Sequence, residues 1–227
     1  MADESNRRSS SVEDYVRAIY GLAERGEAVT NTSLASRLEV SPSSASGMVT
    51  KLAQQGLVAH VPYRGIELTP EGRLLARAVL RRHRLIESYL VSELGYTWDE
   101  VHSEADLLEH VVSDRLVERI AAKLGNPVRD PHGDPIPAVD GSVEELSTRL
   151  LDDLPAGAVG EIARVWDTDP ELLRYLADHE IELGKRIEVV ERQPFGGPIV
   201  VRIGQPPEDA THALGKEIAQ ALSVALR

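Results

Sequence analysis

The chain has 227 residues, of which 42% are hydrophobic, 27% charged and 4% aromatic, so two or three small domains with cores of Leu, Val, Ile and Ala are expected. The absence of cysteine excludes disulfides, thiolate metal ligands and a cysteine nucleophile, and with no eighteen-residue apolar run and no apolar N-terminal leader, a cytoplasmic protein without membrane attachment is expected. The net charge of −12 argues against nucleic acid at first sight, but residues 1–90 hold twelve Lys and Arg against ten Asp and Glu, and the rest thirteen against twenty-seven.

After a polar tail, "SSVEDYVRAIYGLAERG" spaces Val12, Tyr15, Val16, Ile19 and Tyr20 as one helical face, with Ser10 or Ser11 as N-cap and Gly26 as stop. In "NTSLASRLEV", Thr32 or Ser33 caps a short helix carrying Leu34, Ala35 and Leu38. A turn at Val40 and Ser41 precedes Pro42, a favoured first helical residue, and the next helix turns Ala45, Met48, Val49 and Leu52 inward. Two short helices around a tight turn form a helix-turn-helix pattern. "LVAHV" and "GIELT" flanking "PYRG" then read as a two-stranded wing.

If residues 41–52 enter a major groove, Ser41, Ser43, Ser44, Ser46, Thr50 and Lys51 supply hydroxyl and ammonium contacts, with Pro42 starting the helix. No Arg, Gln or Asn stands between 41 and 50 to make a bidentate base contact, so readout leans on serine, methyl contacts and DNA shape. Arg37, Lys51 and Arg64 at the wing tip are the phosphate or minor-groove candidates. The competing use of such a module is protein contact.

Residues 70–94 read as one long helix packing through Leu74, Leu75, Ala78, Val79, Ile86 and Leu90. "TWDEVHSEADLLEHVVSDRLVERIAAKLG" adds one or two more, closed by Gly125. At about 100° per residue, His102, Asp106, Glu109, His110 and Ser113 fall on one side and Leu107, Leu108, Val111, Val112 and Leu116 on the other, so one face packs and the other holds imidazoles and carboxylates. His83 and Glu87 form a second pair one turn apart. Imidazole with carboxylate oxygen and no sulfur suits manganese, iron(II), cobalt or zinc rather than copper(I). An exposed solvated face is the competing reading. Asp14 alone is explained by the helix dipole.

"GNPVRDPHGDPIPAVDGS" is too rich in Pro and Gly for regular structure and reads as a boundary loop, with His132 a loop side chain. His60, His179 and His212 also lie outside the clusters. "SVEELSTRLLDDL" suggests one more short helix. Beyond it, "GAVGEIARV", "RIEVVERQ" and "PIVVRIG" have strand character around the helical insertion "PELLRYLADHEIELG", and "GKEIAQALSVAL" closes the chain. A small barrel is expected.

These residues carry a resemblance. "VEDYVRAIY", "VSPSSASGMVTKLAQQGLV", "YRGIELTPEGR", "RRHRLIESYLVSELGY", "DEVHSEADLLEHVVSD" and "DPHGDPIP", in this order, resemble the diphtheria-toxin-repressor family of metal-dependent transcriptional regulators, most closely its manganese-regulator branch from actinobacteria. The C-terminal segment resembles the ferrous-iron-transport-A (FeoA) type of Src-homology-three-like barrel. The fold this implies is mainly α with small β parts: a winged helix-turn-helix DNA-binding domain (1–75), a helical dimerisation and metal-binding domain (76–152) and the barrel (153–227).

The resemblance further implies a primary metal site at Asp14, Asp106, Glu109 and His110, and a second at His83, Glu87 and His102 with help from the barrel, where only Asp169 matches. Iron-responsive members carry methionine and cysteine in place of Asp14 and Asp106; the carboxylates here favour manganese, the weakest binder of the Irving–Williams series. Arg17 replaces a glutamate of the short manganese regulators, and Leu172 replaces an amide of the barrel. The implied protein is a manganese-dependent homodimeric repressor of metal-uptake genes that binds double-stranded palindromic operator DNA, as one dimer or two. Iron(II) is the alternative effector, and cobalt or zinc can substitute in vitro. No organic substrate is expected. A metal-dependent hydrolase is the competing class, against which "HExxH" and paired "ExxH" motifs are missing.

Overall fold

The computed structural model describes residues 10–61, 65–144, 147–166, 169–207 and 209–226, with the His60 side chain outside the description. It divides into two units, Met1–Arg82 with Pro137–Ser142, and His83–Ile136 with Val143–Arg227.

The first unit begins with α1 (Ser10–Glu24), whose Val12, Tyr15, Val16, Ile19 and Tyr20 are all buried. The short helix α2 (Asn31–Arg37) is capped by Thr30 rather than Thr32 or Ser33. Ser33 instead occupies the third helical position, where its hydroxyl accepts from Thr30 N (2.8 Å) while Thr30 Oγ1 accepts from Ser33 N (3.0 Å); that reciprocal pair satisfies two helix-start donors at once. In α3 (Pro42–Gln54), Ser41 is the N-cap and Ala45, Val49 and Leu52 face the core. Strands β1 (Val58–Val61) and β2 (Gly65–Leu68) pair antiparallel, Val58 opposite Leu68. Helix α4 (Pro70–Leu94) starts where Thr69 Oγ1 donates to Gly56 O (2.7 Å) and accepts from Gly72 N (3.0 Å). A Cβ on Gly72 would lie 1.9 Å from Leu57 O, so only glycine lets α4 approach the wing this closely. Ala76, Val79 and Leu80 are the buried positions here, whereas Leu74 and Ala78 are exposed, shifting the apolar stripe from the expected one.

The second unit holds the rest of α4, with α5 (Trp98–Leu108) and α6 (Asp114–Lys123). Ile86, Leu90, Val101 and Ala105 form one small core, and Leu85, Val117, Ile120, Ala121 and Ile136 another. Six strands follow in the order β3-β8-β4-β5-β6-β7, every neighbour antiparallel: β3 (Arg149–Leu150), β4 (Val159–Val165), β5 (Arg186–Arg192), β6 (Ile199–Ile203), β7 (Ala210–Leu214) and β8 (Leu222–Leu226). With α7 (Pro170–Asp178) and α8 (Lys216–Ala221) they enclose a core that includes Leu151, Ile162, Val165, Leu173, Val201, Leu214 and Val224.

Two expectations need correction, and the closing segment gains an assignment. The helix read in residues 142–154 is absent from its described residues, which hold β3 and one 3-10 turn at Leu151–Asp153; Leu151 and Leu154 are fully buried in the sheet core, so packing overrides propensity. The insertion helix stops at Asp178, because Glu180 turns left-handed (φ 54°) and Ile181 drops into the core. The closing segment is split: β8 lies between β3 and β4, and its buried Leu222–Val224 run has no alternation to distinguish strand from helix. No helix among the described residues is long and apolar enough to cross a membrane.

Candidate metal centre and DNA-binding surface

The small core of Ile86, Leu90, Val101 and Ala105 holds α4 against α5, and beside it the polar faces of the same helices meet. His83 and Glu87 come from α4, 3% and 1% exposed. His102 and Asp106 come from α5, half-buried. Glu109 and His110 follow in the turn that ends α5, where Glu109 N donates to Ala105 O at 2.9 Å, and Glu109 is fully buried.

His83 is the hub. Its Nδ1 lies 2.8 Å from Glu109 Oε2 and 3.4 Å from Asp106 Oδ1, and its Nε2 lies 2.9 Å from Glu87 Oε1 and 3.1 Å from His102 Nδ1. A carboxylate faces each ring nitrogen, so both nitrogens donate only when the ring carries both protons. Burial alone raises the Glu87 carboxyl, but the positive His83 ring and the hydrogen bonds with His102 and His83 outweigh it and hold the group well below the usual carboxylate range. His102 Nδ1 also reaches Glu87 Oε1 at 3.1 Å, and its Nε2 reaches Asp106 Oδ2 at 3.7 Å. His110 Nε2 stands 3.4 Å from Glu109 Oε1.

Ligand atoms of His83, His102 and Asp106 converge within 4.8 Å. So do those of Glu87, Asp130 and His132, a grouping the sequence reading missed by treating His132 as a loop side chain. His132 is in the loop, yet it is fully buried. Its Nδ1 and the Glu87 Oε2 are buried without hydrogen-bond partners, at a cost of about 1–3 kcal/mol each if nothing satisfies them. Lone pairs of oxygen and imidazole nitrogen, orphaned and inward-facing, fit a divalent cation. Asp130 is less available: its Oδ1 accepts from the backbone of His132 and Asp134, each at 2.9 Å, and its Oδ2 pairs with Arg84 at 3.4 Å.

Other candidates are placed differently. Asp14 sits half-buried on α1 of the first unit. Asp169 is exposed and caps α7, accepting from Glu171 N at 2.8 Å, and it belongs to neither convergent grouping of the second unit. Of the face expected to pack, Leu107, Val111 and Leu116 are 71%, 66% and 46% exposed, while Leu108 and Val112 are partly buried. The buried positions of α5 are Val101 and Ala105, because they lie toward α4.

On the first unit, Arg37, Ser41, Pro42, Ser43, Ser44, Ser46, Thr50 and Lys51 are all exposed. Four hydroxyls are already engaged: Ser41 Oγ accepts from Ser44 N at 3.1 Å and shares hydrogen bonds with Ser43 Oγ (2.9 Å) and Ser44 Oγ (2.8 Å), and Thr50 Oγ1 donates to Ser46 O at 3.0 Å. Arg64 lies outside the described residues.

Three family models match in succession: the iron dependent repressor N-terminal DNA binding domain over residues 8–66, the iron dependent repressor metal binding and dimerisation domain over 69–138, and the FeoA domain over 149–226. The iron-dependent repressor IdeR of Mycobacterium leprae is 34% identical, covering 91% of this chain and 96% of its own. The diphtheria toxin repressor of Corynebacterium glutamicum is 34% identical over the same shares. Among solved structures, a manganese-dependent transcriptional repressor in complex with manganese superposes with a TM-score of 0.91 at 48% identity, covering 95% of this chain and 100% of that one. The manganese regulator SloR gives 0.79 at 34% identity, covering 95% and 98%. With a helix-turn-helix, a cluster of imidazole and carboxylate donors and these relatives together, the chain belongs to the iron-dependent (diphtheria toxin) repressor family of metal-dependent, DNA-binding transcriptional repressors, and is not an enzyme.

Proposed function

We propose that this repressor responds to manganese, acts as a homodimer in the cytoplasm, and binds palindromic operator DNA of metal-uptake genes. The observation that carries the reading is the donor set: His83, His102 and Asp106 converge with Glu87 and Glu109 beside them, all hard oxygen or imidazole and none of it sulfur. Manganese binds weakest along the Irving–Williams series and prefers hard donors. The similarity to repressors described as manganese-dependent supports the same choice. Iron(II) is the second reading, favoured by the likeness to iron-dependent repressors.

In this reading Asp106, Glu109 and His110, joined by Asp14, make a primary site, and His83, Glu87 and His102 a second one in which His132 takes the role that Asp169, engaged as a helix cap, fills weakly. A bound cation supplies the positive charge that offsets the crowded carboxylates. Without metal, Glu87 and Glu109 hold His83 through its two nitrogens, one of which must give up its proton for the ring to serve as a donor. Asp14 ties α1 to the metal-binding helices and so narrows the positions open to α3. Exposed Leu107, Val111 and Leu116 form the apolar stripe that a second copy covers, spacing two α3 helices about 34 Å apart for successive major grooves. Ser43, Ser44 and Ser46 read the groove, while Arg37, Lys51 and Arg64 hold phosphate.

The test is anisotropy of a labelled palindromic operator, titrated with manganese and then anaerobically with iron(II), beside Asp106→Ala. Binding that requires manganese and is lost in the variant is the expected result. Equal DNA binding with and without metal would overturn it. By linkage, operator DNA should tighten manganese binding by the factor with which manganese tightens DNA binding.

A further inference from the structure

The loop that carries His132 is held by a buried charge cluster that no step above uses. Asp134, 3% exposed, pairs with Arg84 of α4 (Nη2 to Oδ1, 3.2 Å) and with Arg164 Nη2 of β4. Arg84 also donates to Pro135 O at 2.6 Å, and its Nε faces Asp130 Oδ2 at 3.4 Å. Two guanidinium groups thus neutralise two carboxylates. Arg84 follows His83 directly and precedes Glu87 by less than a turn, so the clamp grips the stretch of α4 that bears two of the metal-site donors.

The other side of the loop lies flush on β4. His132 O accepts from Val165 N at 2.9 Å. Gly133 has φ 85°, and a Cβ there would come within 2.1 Å of Ala163 O. Arg164 is pinned in turn by Trp166, whose ring centre lies 3.5 Å from its guanidinium carbon. Within the loop, Asp130 Oδ1 gathers the amides of His132 and Asp134. The outcome is a fully buried imidazole with an unpartnered Nδ1, in a residue whose ligand atom converges with those of Glu87 and Asp130.

We propose that Asp134 is a positioning residue of the metal centre: bridging Arg84 and Arg164, it lets β4 set where His132 stands relative to Glu87, and so sets the affinity of the donors these two residues supply. The inference rests on the reading that this centre binds a divalent cation. A purely structural clamp would contribute to the melting temperature and leave metal affinity alone. Groups that orient metal ligands, by contrast, typically change affinity 10–100-fold when removed.

The experiment is manganese titration of the full chain, followed by the electron paramagnetic resonance of the free ion, for the native protein, Asp134→Asn, Arg164→Met and Arg164→Lys, with metal-free thermal melts alongside. Asp134→Asn preserves shape and removes the charge. The expected result is a loss of about 10-fold or more in the affinity of one class of sites in Asp134→Asn and Arg164→Met, with Arg164→Lys recovering most of it. Native affinity and stoichiometry in both variants, whatever their melting temperatures, would overturn the inference. If Asp134→Asn does not fold, Arg164→Lys set against Arg164→Met decides in the same way, equal native affinities overturning it. A native protein that binds no manganese would overturn the metal reading itself, an outcome distinct from native binding left unchanged by the variants.

Discussion

Two polar surfaces of this molecule are built on opposite principles. On α3 and its N-cap, Ser41, Ser43, Ser44, Ser46 and Lys51 are exposed, and the Ser41 hydroxyl is bonded locally to Ser44 N and to the Ser43 and Ser44 hydroxyls. Around His83, polar groups of comparable number point inward, and Glu87, Glu109 and His132 are almost wholly out of solvent. Water stabilises the first surface in the free protein, so its residues are free to serve a binding partner without cost to the fold. The second surface has only itself, so each member is stabilised or frustrated by its neighbours, and a ligand that completes the set changes stability as well as function.

The comparison breaks most sharply at His83. His83→Ala leaves Glu87 and Glu109 facing one another without the ring between them and should cost the metal-free protein about 3 kcal/mol in urea unfolding, the range for breaking a buried pair. Manganese at a hundredfold excess over its Kd should stabilise the native protein by about 2.7 kcal/mol for each site filled, and the share owed to the site that contains His83 should vanish in His83→Ala. Unchanged unfolding in both respects would remove the distinction between the surfaces.

Next in size is Lys51→Glu, expected to leave unfolding within about 0.5 kcal/mol of native, as for an ordinary surface change. It should weaken operator binding and lower the slope of log affinity against log salt by about 1 for each phosphate that the side chain no longer neutralises. A stability loss as large as that of His83→Ala would show that α3 is not the solvated surface described. Ser41→Ala removes a helix cap and should cost about 1 kcal/mol, a local effect with no influence on manganese affinity.

The smallest effect concerns Asp99. A hydrogen bond from Thr97, aided by one from Arg174, holds its carboxyl below the ordinary value. A depressed folded pKa means stability present above the unfolded pKa of about 3.9 and lost as pH falls through the folded value. Because Arg174 is largely exposed, Asp99→Asn should cost only a few tenths of a kcal/mol at pH 7, and the two proteins should become equally stable in strong acid. A difference that persists there would point to packing rather than charge.

The legibility of the fold follows the range of the interactions. The winged helix was readable because its signals are local: Pro42 at a helix start, Ala45, Val49 and Leu52 at helical spacing, and two short strands around a turn. The segment 142–154 was misread because its partner is β8, some seventy residues away, and Leu151 and Leu154 serve a sheet core that no local window contains. Leu107 and Val111 are apolar at helical spacing and yet exposed in the single chain; periodicity reports an apolar face and is silent about what covers it.

For the candidate site, His83 with Glu87 and His102 with Asp106 were visible as pairs one turn apart, because a helix fixes i, i+4 neighbours whatever surrounds it. His132 carried no such signal. A loop of Pro and Gly has no period, and D-x-H-x-D acquires meaning only when Arg84 and Arg164 pull its carboxylates inward and leave the imidazole beside Glu87. The sequence by itself determined the donor chemistry, oxygen and imidazole without sulfur, and the helices that present most of it. Only the tertiary structure decided which donors meet and which are buried, because convergence across elements and exclusion of water arise from long-range packing that no local spacing encodes.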